Sequence, residues 1–161
     1  MIGFAGRNFF EKNKKSKLAV YQNRILNGYT LSIKQKRSVF MEKNICKQQA
    51  YDFGVKTVIV CKNIAEKYHE YDLTSQLKRS ATSISANLNE SQFASSRADF
   101  QNKLNISLKE ANESKNWVNL LHDTSYMDDA DYEELYPRIL SIVSILTVSM
   151  KTLKSKIENP K

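Results

Sequence analysis

Glycine and proline are scarce in this chain, with four and two residues respectively among 161. Three of the glycines fall within the first forty residues, so the rest of the sequence contains Gly54 alone. A glycine-rich loop that holds a nucleotide phosphate therefore has no candidate. No apolar run approaches the roughly 18 residues that a membrane-spanning helix needs. The N-terminus also lacks the apolar core and small-residue cleavage site of a secretory signal.

Cysteine and histidine, the commonest ligands of transition metals, are equally scarce. On one helix, Cys46 and Cys61 would lie roughly 22 Å apart, whereas a disulfide requires Cα atoms within about 7 Å. We interpret both as reduced core thiols of a cytosolic protein. His69 and His122 are the only histidines, and neither has metal-site spacing with a cysteine. The cysteines and histidines nominate no catalytic residue, metal or cofactor.

Positive charge is concentrated at the start of the chain. Residues 1–40 contain nine Lys or Arg and only Glu11 on the acidic side, which gives a balance of +8. Residues 41–161 contain the other 16 basic side chains and 16 acidic ones, which gives a balance of zero. A basic segment can bind phosphates by releasing counterions. The remainder does not have the composition of a globally basic nucleic-acid-binding domain.

The composition therefore divides the chain at about Met41. Residues 1–40 combine a lysine-rich run with apolar residues that keep no steady period, and they predict an irregular basic extension. This extension is either disordered or the product of an over-extended gene start, with translation beginning at Met41. Residues 41–161 are predicted to form the folded domain.

Apolar residues recur at helical spacing in four stretches of this domain. The first, about residues 44–68, has Tyr51, Val55, Val58 and Ile59 at such steps. The second, about 73–93, has a stripe at positions 77, 81, 84 and 88. The third stretch runs from about residue 97 to about residue 122, and the fourth ends at about residue 157. Because short connections make neighbouring helices antiparallel, we expect an all-α, up-down-up-down four-helix bundle.

Several residues are expected to begin or interrupt these helices. Asp72 or Thr74 is predicted to cap the second helix, and Ser95 or Ser96 the third. Pro137 lies about two turns into the fourth helix. It either kinks that helix or separates a short leading turn from it.

Basic residues on the second and third helices form one candidate site. Lys78, Arg79, Arg97 and Lys103 could together line a phosphate-binding strip across the two helices. The alternative is an ordinary solvated face.

Polar and aromatic residues on the same two helices form a second candidate site. The run from Ser80 to Asn89 favours close packing, and Asn87 and Glu90 could hydrogen-bond across the bundle. Ser83, Asn87, Glu90 and Trp117 are therefore candidates for packing, or for an interface. Trp117 could alternatively stack on a base.

Carboxylates spread over three helices raise a third possibility, a di-metal bundle site. Such sites use a Glu-x-x-His pair on each of two helices. Glu66 and His69 have this spacing, but Glu113 has Asn116 in the histidine position. Solvated faces and interhelical hydrogen bonds explain these residues better.

Two longer patterns resemble a known bacterial family. The second helix keeps a Leu-x-Arg-x-Ala-x-Ser-Ile-x-x-Asn-x-x-Glu pattern from Leu77 to Glu90, and the third keeps Lys-Glu-Ala-x-Glu-x-x-x-Trp-x-x-Leu-Leu from Lys109 to Leu121. These patterns resemble the four-helix-bundle proteins encoded in intervening sequences of large-subunit ribosomal RNA genes. That family also includes the accessory variability determinant of diversity-generating retroelements. The chain departs from the family pattern at Ser85 (often Pro), Asn89 (Ala) and Ser91 (Gly).

The resemblance implies a function as well as a fold. It implies a homo-oligomer, with a pentameric ring favoured, and a cytoplasmic, non-enzymatic protein without cofactors. The leading hypothesis is an accessory protein associated with RNA or another nucleic acid. The alternative is a scaffold for a protein partner such as a reverse transcriptase. The resemblance supplies no catalytic residues and says nothing of residues 1–40.

Overall fold

The structure is a computed structural model that describes residues 45–158. Residues 45–68 form helix α1. Helix α2 spans Asp72–Glu90 and ends in a 3-10 turn, Ser91–Phe93; α3 spans Arg97–Asp123 and α4 spans Asp129–Glu158. The predicted all-α fold is therefore confirmed over these residues. The predictions for the basic extension lie outside the described residues.

Contacts between side chains show that α2 and α3 are antiparallel. The Ser80 hydroxyl lies 2.8 Å from that of Ser114. Further along α2, the carbonyl of Ile84 accepts a hydrogen bond from Ser107. Residue numbers fall along α3 as they rise along α2, as an up-down topology requires.

Helix α4 is likewise antiparallel to α1. The Ser141 hydroxyl donates to Gln49 at 3.2 Å, and Lys56 forms an ion pair with Glu134 at 2.7 Å. The short α3–α4 connection makes these two helices antiparallel, with Tyr132 donating to Asn119. The predicted four-helix bundle is thus observed.

All four helices contribute to one apolar core. Helix α2 buries the predicted stripe of Leu77, Ala81, Ile84 and Leu88. Fully buried contributions from the other helices are Phe53, Val60, Val118, Leu121, Leu135, Ile139 and Ile142. Within residues 45–158, no helix has an apolar stretch long enough to cross a membrane.

Helix α1 does not bury the stripe from which the sequence predicts it. Its core side contains Cys46, Ala50, Phe53, Val60 and Ile64, all at most 4% exposed. The stripe that includes Tyr51 and Val55 lies on the outside. Helix α1 thus carries two apolar faces, and only one of them has a partner in the bundle.

The N-caps agree with prediction in part. The Ser96 hydroxyl accepts from the backbone N–H of Asp99, so the predicted cap of α3 is confirmed. The predicted cap of α2 is wrong, because neither Asp72 nor Thr74 caps it. Instead, the Glu70 carboxylate accepts from the backbone N–H groups of Leu73 and Thr74 at 2.8 and 2.9 Å. These N–H groups have no partner within the helix, so the carboxylate satisfies them and complements the helix dipole.

Pro137 lies inside α4, which is continuous from Asp129. A separate leading turn is therefore not observed. Because proline has no N–H, the carbonyl of Glu133 receives no bond from it. Both Glu133 and Pro137 are exposed, so that carbonyl lies on the solvent side of the helix.

Candidate interaction sites

The four candidate phosphate-binding cations do not form one cluster. Arg79 lies beside Glu113 of α3, whereas Lys103 lies beside Glu90, at the other end of the α2–α3 contact. Eleven residues of α2 separate Arg79 from Glu90, which corresponds to roughly 16 Å along the helix. Lys78 accompanies Arg79, and Arg97 lies beyond Lys103 at the start of α3. The cations occupy two separate places along the bundle.

Two of these four cations already have carboxylate partners. An Arg79 guanidinium nitrogen lies 3.5 Å from a Glu113 oxygen and also donates to Gln76 at 3.1 Å. Lys103 donates to Glu90 at 2.5 Å, and this hydrogen bond raises the pKa of Lys103. A phosphate must compete with these carboxylates for either side chain.

The other two cations are differently placed. Lys78 is half-buried and Arg97 is exposed. Among residues 45–158, neither forms an ion pair or a side-chain hydrogen bond. Both are thus available to an anion without breaking an interaction inside the bundle.

Only part of the polar run of α2 packs α2 against α3. Asn87 donates to the carbonyl of Ser83 at 2.9 Å, within its own helix and not across the bundle. Glu90 does bridge the two helices, through Lys103. Ser80 is completely buried, and its hydroxyl accepts from Ser114. Small side chains at these positions allow hydroxyl groups on the two helices to meet directly.

Trp117 is partly buried and packs against the core. Its indole N–H donates to Glu113 at 3.2 Å, and the same carboxylate oxygen faces Arg79. Nearby, desolvation raises the pKa of Glu110, with a further contribution from the negative charge of Glu113. Trp117 is therefore held by a polar partner on its own helix, and Glu113 links it to α2.

The outer side of α1 carries the apolar residues from which the sequence predicts this helix. Tyr51, Val55, Val58 and Ile59 are 60%, 45%, 42% and 49% exposed, respectively. Together with Gly54, Thr82 and Ser85 they line a shallow groove of about 300 Å³ between α1 and α2. We call these four apolar residues the α1 stripe. Its helical period was visible in the sequence, but its exposure was not.

The thiols and the carboxylates do not converge on a site. Burial raises the pKa of Cys46 to about 11 and that of Cys61 to about 12, so both thiols stay protonated near neutral pH. Glu66 is paired with Lys62 on its own helix. Within residues 45–158, no three His, Cys, Asp or Glu side chains are grouped so as to hold a metal ion.

Comparison with known proteins identifies relatives of this chain. No curated protein matches the chain. One similar solved structure is that of a protein of unknown function from the S23 ribosomal protein family of Bacteroides thetaiotaomicron. It is 39% identical, with a TM-score of 0.66, and the match covers 68% of this chain and 98% of that one. The 23S rRNA-intervening sequence protein family matches over residues 42–148, which is more than half of the chain. The chain therefore belongs to the 23S rRNA-intervening sequence protein family.

Proposed function

We propose that this protein is a cytoplasmic, non-enzymatic accessory protein that forms a homo-oligomer and associates with nucleic acid. The observation that carries the proposal is the exposed α1 stripe, on a domain whose charges balance. The bundle is the assembly module, and a pentamer is the favoured form. The basic extension supplies most of the contact with RNA.

Self-association is the role that best accounts for the α1 stripe. Fully burying a Val, Leu or Ile side chain is worth about 1.5–3 kcal/mol, so covering four half-exposed side chains gives on the order of 1 kcal/mol each. A contiguous exposed patch of this kind is typical of an interaction site. Because residues 41–161 carry no net charge, electrostatic repulsion between the bundles of two copies is weak.

Substitution in the stripe tests the assembly. Val55→Glu places a charge where we expect a dry interface, and it should lower the mass measured by light scattering toward the 18.6 kDa of one chain. Asn116→Glu is the matched control, because Asn116 is exposed on α3 and away from the stripe. A wild-type protein that is monomeric at micromolar concentration would overturn the proposal.

The basic extension is the best candidate for the nucleic-acid contact. Its nine basic side chains against one acidic residue favour phosphate binding through counterion release, without sequence preference. The relationship to proteins of ribosomal RNA intervening sequences supports RNA as the ligand. Several such extensions on one oligomer would bind a single strand with higher avidity than one extension alone.

A salt titration separates the contributions of the extension and the bundle. The full chain should bind RNA with a steep salt dependence, and a shortened chain of residues 42–161 should bind much more weakly. The shortened chain should fold by itself, because nearly the whole of the solved relative, 98% of its chain, matches only 68% of this chain at 39% identity. Equal affinity of the two forms would show that the bundle itself binds the phosphates.

We propose that any contribution from the bundle comes from the four candidate cations, and that it is unequal. Lys78→Glu and Arg97→Glu should weaken binding more than Arg79→Glu and Lys103→Glu, because the last two cations already face carboxylates. The salt slope should also fall by about 1 for each phosphate that a variant no longer neutralises. Four equal effects would contradict this ranking.

The pairing of Arg79 and Lys103 also favours a second candidate function, a scaffold for a protein partner such as a reverse transcriptase. In that case the ring presents a surface to the partner, and the basic extension is secondary. A reverse-transcriptase gene beside this one would favour the scaffold, and a position within a ribosomal RNA gene would favour the RNA-associated role. Co-purification of that neighbouring enzyme with the full chain, abolished in Val55→Glu, tests the partner directly.

A further inference from the structure

We propose that Phe93, in the turn between α2 and α3, is a stacking platform for an unpaired base of single-stranded RNA. This inference rests on the proposed nucleic-acid association and names an aromatic contact for it on the bundle. Among the described residues, Phe93 is the most exposed large apolar side chain, at 86%. It therefore adds almost nothing to the core, and packing within the bundle does not explain it.

The turn between α2 and α3 holds Phe93 in this outward position. Before Phe93, Ser91 is buried and its hydroxyl donates to the carbonyl of Leu88 at 2.8 Å. After Phe93, the backbone N–H of Ser95 donates to the Asp99 carboxylate at 3.0 Å. Because both sides of the turn are fixed, the ring is already in place, and little ordering cost remains when a base stacks on it.

The end of the bundle that carries Phe93 is positively charged. The antiparallel order of the helices brings the start of α1, the α2–α3 turn and the last turns of α4 to this end. Five basic and two acidic side chains lie there, within residues 45–48, 87–103 and 147–155. The phosphates of a nucleic-acid strand are therefore attracted to this end.

The opposite end of the bundle has the reverse charge. It contains the α1–α2 and α3–α4 connections, and residues 66–72 and 122–134 carry nine acidic side chains there against one basic side chain. An exposed aromatic residue at this end, such as Tyr71 at 61%, is poorly placed to meet a polyanion. Phe93 differs from it in having a positive field around the ring.

Two cations near Phe93 have no carboxylate partner. Arg97 is exposed and lies four residues further along the chain, a span of at most about 14 Å. Lys47 lines a hollow between the start of α1 and the end of α2 together with Asn89, which lies about one turn before Phe93. Within residues 45–158, neither cation forms an ion pair or a side-chain hydrogen bond. A strand with one base on Phe93 thus has cations for its neighbouring phosphates.

An exposed ring beside unpaired cations is the combination that binds single strands. Every base has a flat face, so stacking tolerates any sequence, and each base stacked on an aromatic side chain strengthens binding roughly 5- to 150-fold. Trp117 is less suited to stacking, because it is partly buried and its indole N–H donates to Glu113. The bases of a duplex stay stacked on one another, so the ligand that fits Phe93 is single-stranded.

Affinities for two RNA ligands test this proposal in the full-length protein. Phe93→Ala should bind a single strand of uridines at least about fivefold more weakly than the wild type, and Phe93→Trp should keep the affinity because it restores a ring. Affinity for the same strand paired with its complement should change by less than about twofold. Tyr71→Ala, at the acidic end, is the matched control and should leave both affinities unchanged.

Salt dependence separates stacking from charge. Stacking releases no counterions, so Phe93→Ala should weaken single-strand binding by the same factor at every salt concentration. Arg97→Gln should instead flatten the salt slope by about 1, because one phosphate is no longer neutralised. A flatter slope for Phe93→Ala would mean that Phe93 acts by positioning a cation, and would overturn the stacking role.

The remaining outcomes distinguish this proposal from the proposed function. Wild-type affinity of Phe93→Ala for the single strand would overturn the stacking role and leave the proposed function intact, and so would an equal loss on the duplex. A lower unfolding midpoint or a smaller mass by light scattering for Phe93→Ala would also overturn it, by assigning Phe93 to folding or to assembly. A wild-type protein that binds neither RNA ligand would overturn the proposed function itself.

Discussion

Ser80 and Ser114 form a hydrogen bond at the centre of the α2–α3 contact, and the two hydroxyls have different roles. Both side chains are 0% exposed. Ser114 donates to Ser80 at 2.8 Å, and Ser80 donates to the carbonyl of Leu77 at 3.3 Å. Removing Ser80 therefore takes away the acceptor of Ser114, whereas removing Ser114 leaves Ser80 with its acceptor.

This asymmetry predicts unequal stability losses. Ser114→Ala should cost about 0.5–1.5 kcal/mol, the net value of one hydrogen bond. Ser80→Ala should cost about 1–3 kcal/mol, because it leaves a buried donor unsatisfied. Replacing both hydroxyls removes the unsatisfied group, so the double variant should be more stable than Ser80→Ala alone.

Urea unfolding at one fixed protein concentration measures these differences, because the proposed self-association would make the unfolding midpoint depend on concentration. Ser144→Ala, at an exposed position of α4, corrects for the intrinsic helix preference of alanine, which is about 0.5 kcal/mol. Equal losses for Ser80→Ala and Ser114→Ala that simply add in the double variant would refute the reasoning. That result would mean that Ser114 finds another acceptor when Ser80 is absent.

Three further substitutions have predicted effects on stability. Thr57→Val should stabilise by about 1 kcal/mol in urea unfolding, because the Thr57 hydroxyl is buried and has no partner within residues 45–158; a loss would indicate a bound water. Gly54→Ala should stabilise by up to about 1 kcal/mol, since an added Cβ would lie 3.7 Å from the carbonyl oxygen of Ala81, an ordinary contact; a lower unfolding midpoint would contradict this. Glu110→Gln should gain stability relative to wild type as the pH rises, because a folded-state pKa raised by desolvation means that the wild type loses stability when Glu110 ionises. Unfolding midpoints at about pH 3.5 and pH 7 test the sign, and an unchanged difference between variant and wild type would count against it.

The sequence predicts the packing best where a helix has a single apolar face. Leu77, Ile84 and Leu88 recur at helical steps with polar neighbours, so α2 has only one side that it can bury. Helix α1 is different, since Phe53 and Val60 form one apolar face and Val55 and Ile59 another. Periodicity identifies such a helix but cannot choose the face that packs, because the choice depends on the neighbouring helices.

Side-chain partners are less predictable than helices. The carboxylate partner of Lys103 is thirteen residues away, and that of Arg79 lies on a different helix. The cap of α2 comes from Glu70, a long side chain that reaches forward into the first turn, and not from the short residues that usually cap helices. Asn87 bonds within its own helix, because the carbonyl of Ser83 lies within reach one turn earlier. Pairings of this kind depend on the register of packed helices, which residue spacing alone does not determine.

The most direct test of the proposed function compares RNA binding by two full-length proteins, the wild type and Val55→Glu, at the same salt concentration. Both contain the same basic extension, and they differ in the stripe through which we expect copies to assemble. We predict that the variant binds RNA at least about tenfold more weakly than the wild type, with the affinity of one basic extension, because it no longer has the avidity of a multivalent oligomer. Equal affinity, with the variant monomeric and the wild type oligomeric, would contradict the claim that assembly serves nucleic-acid binding.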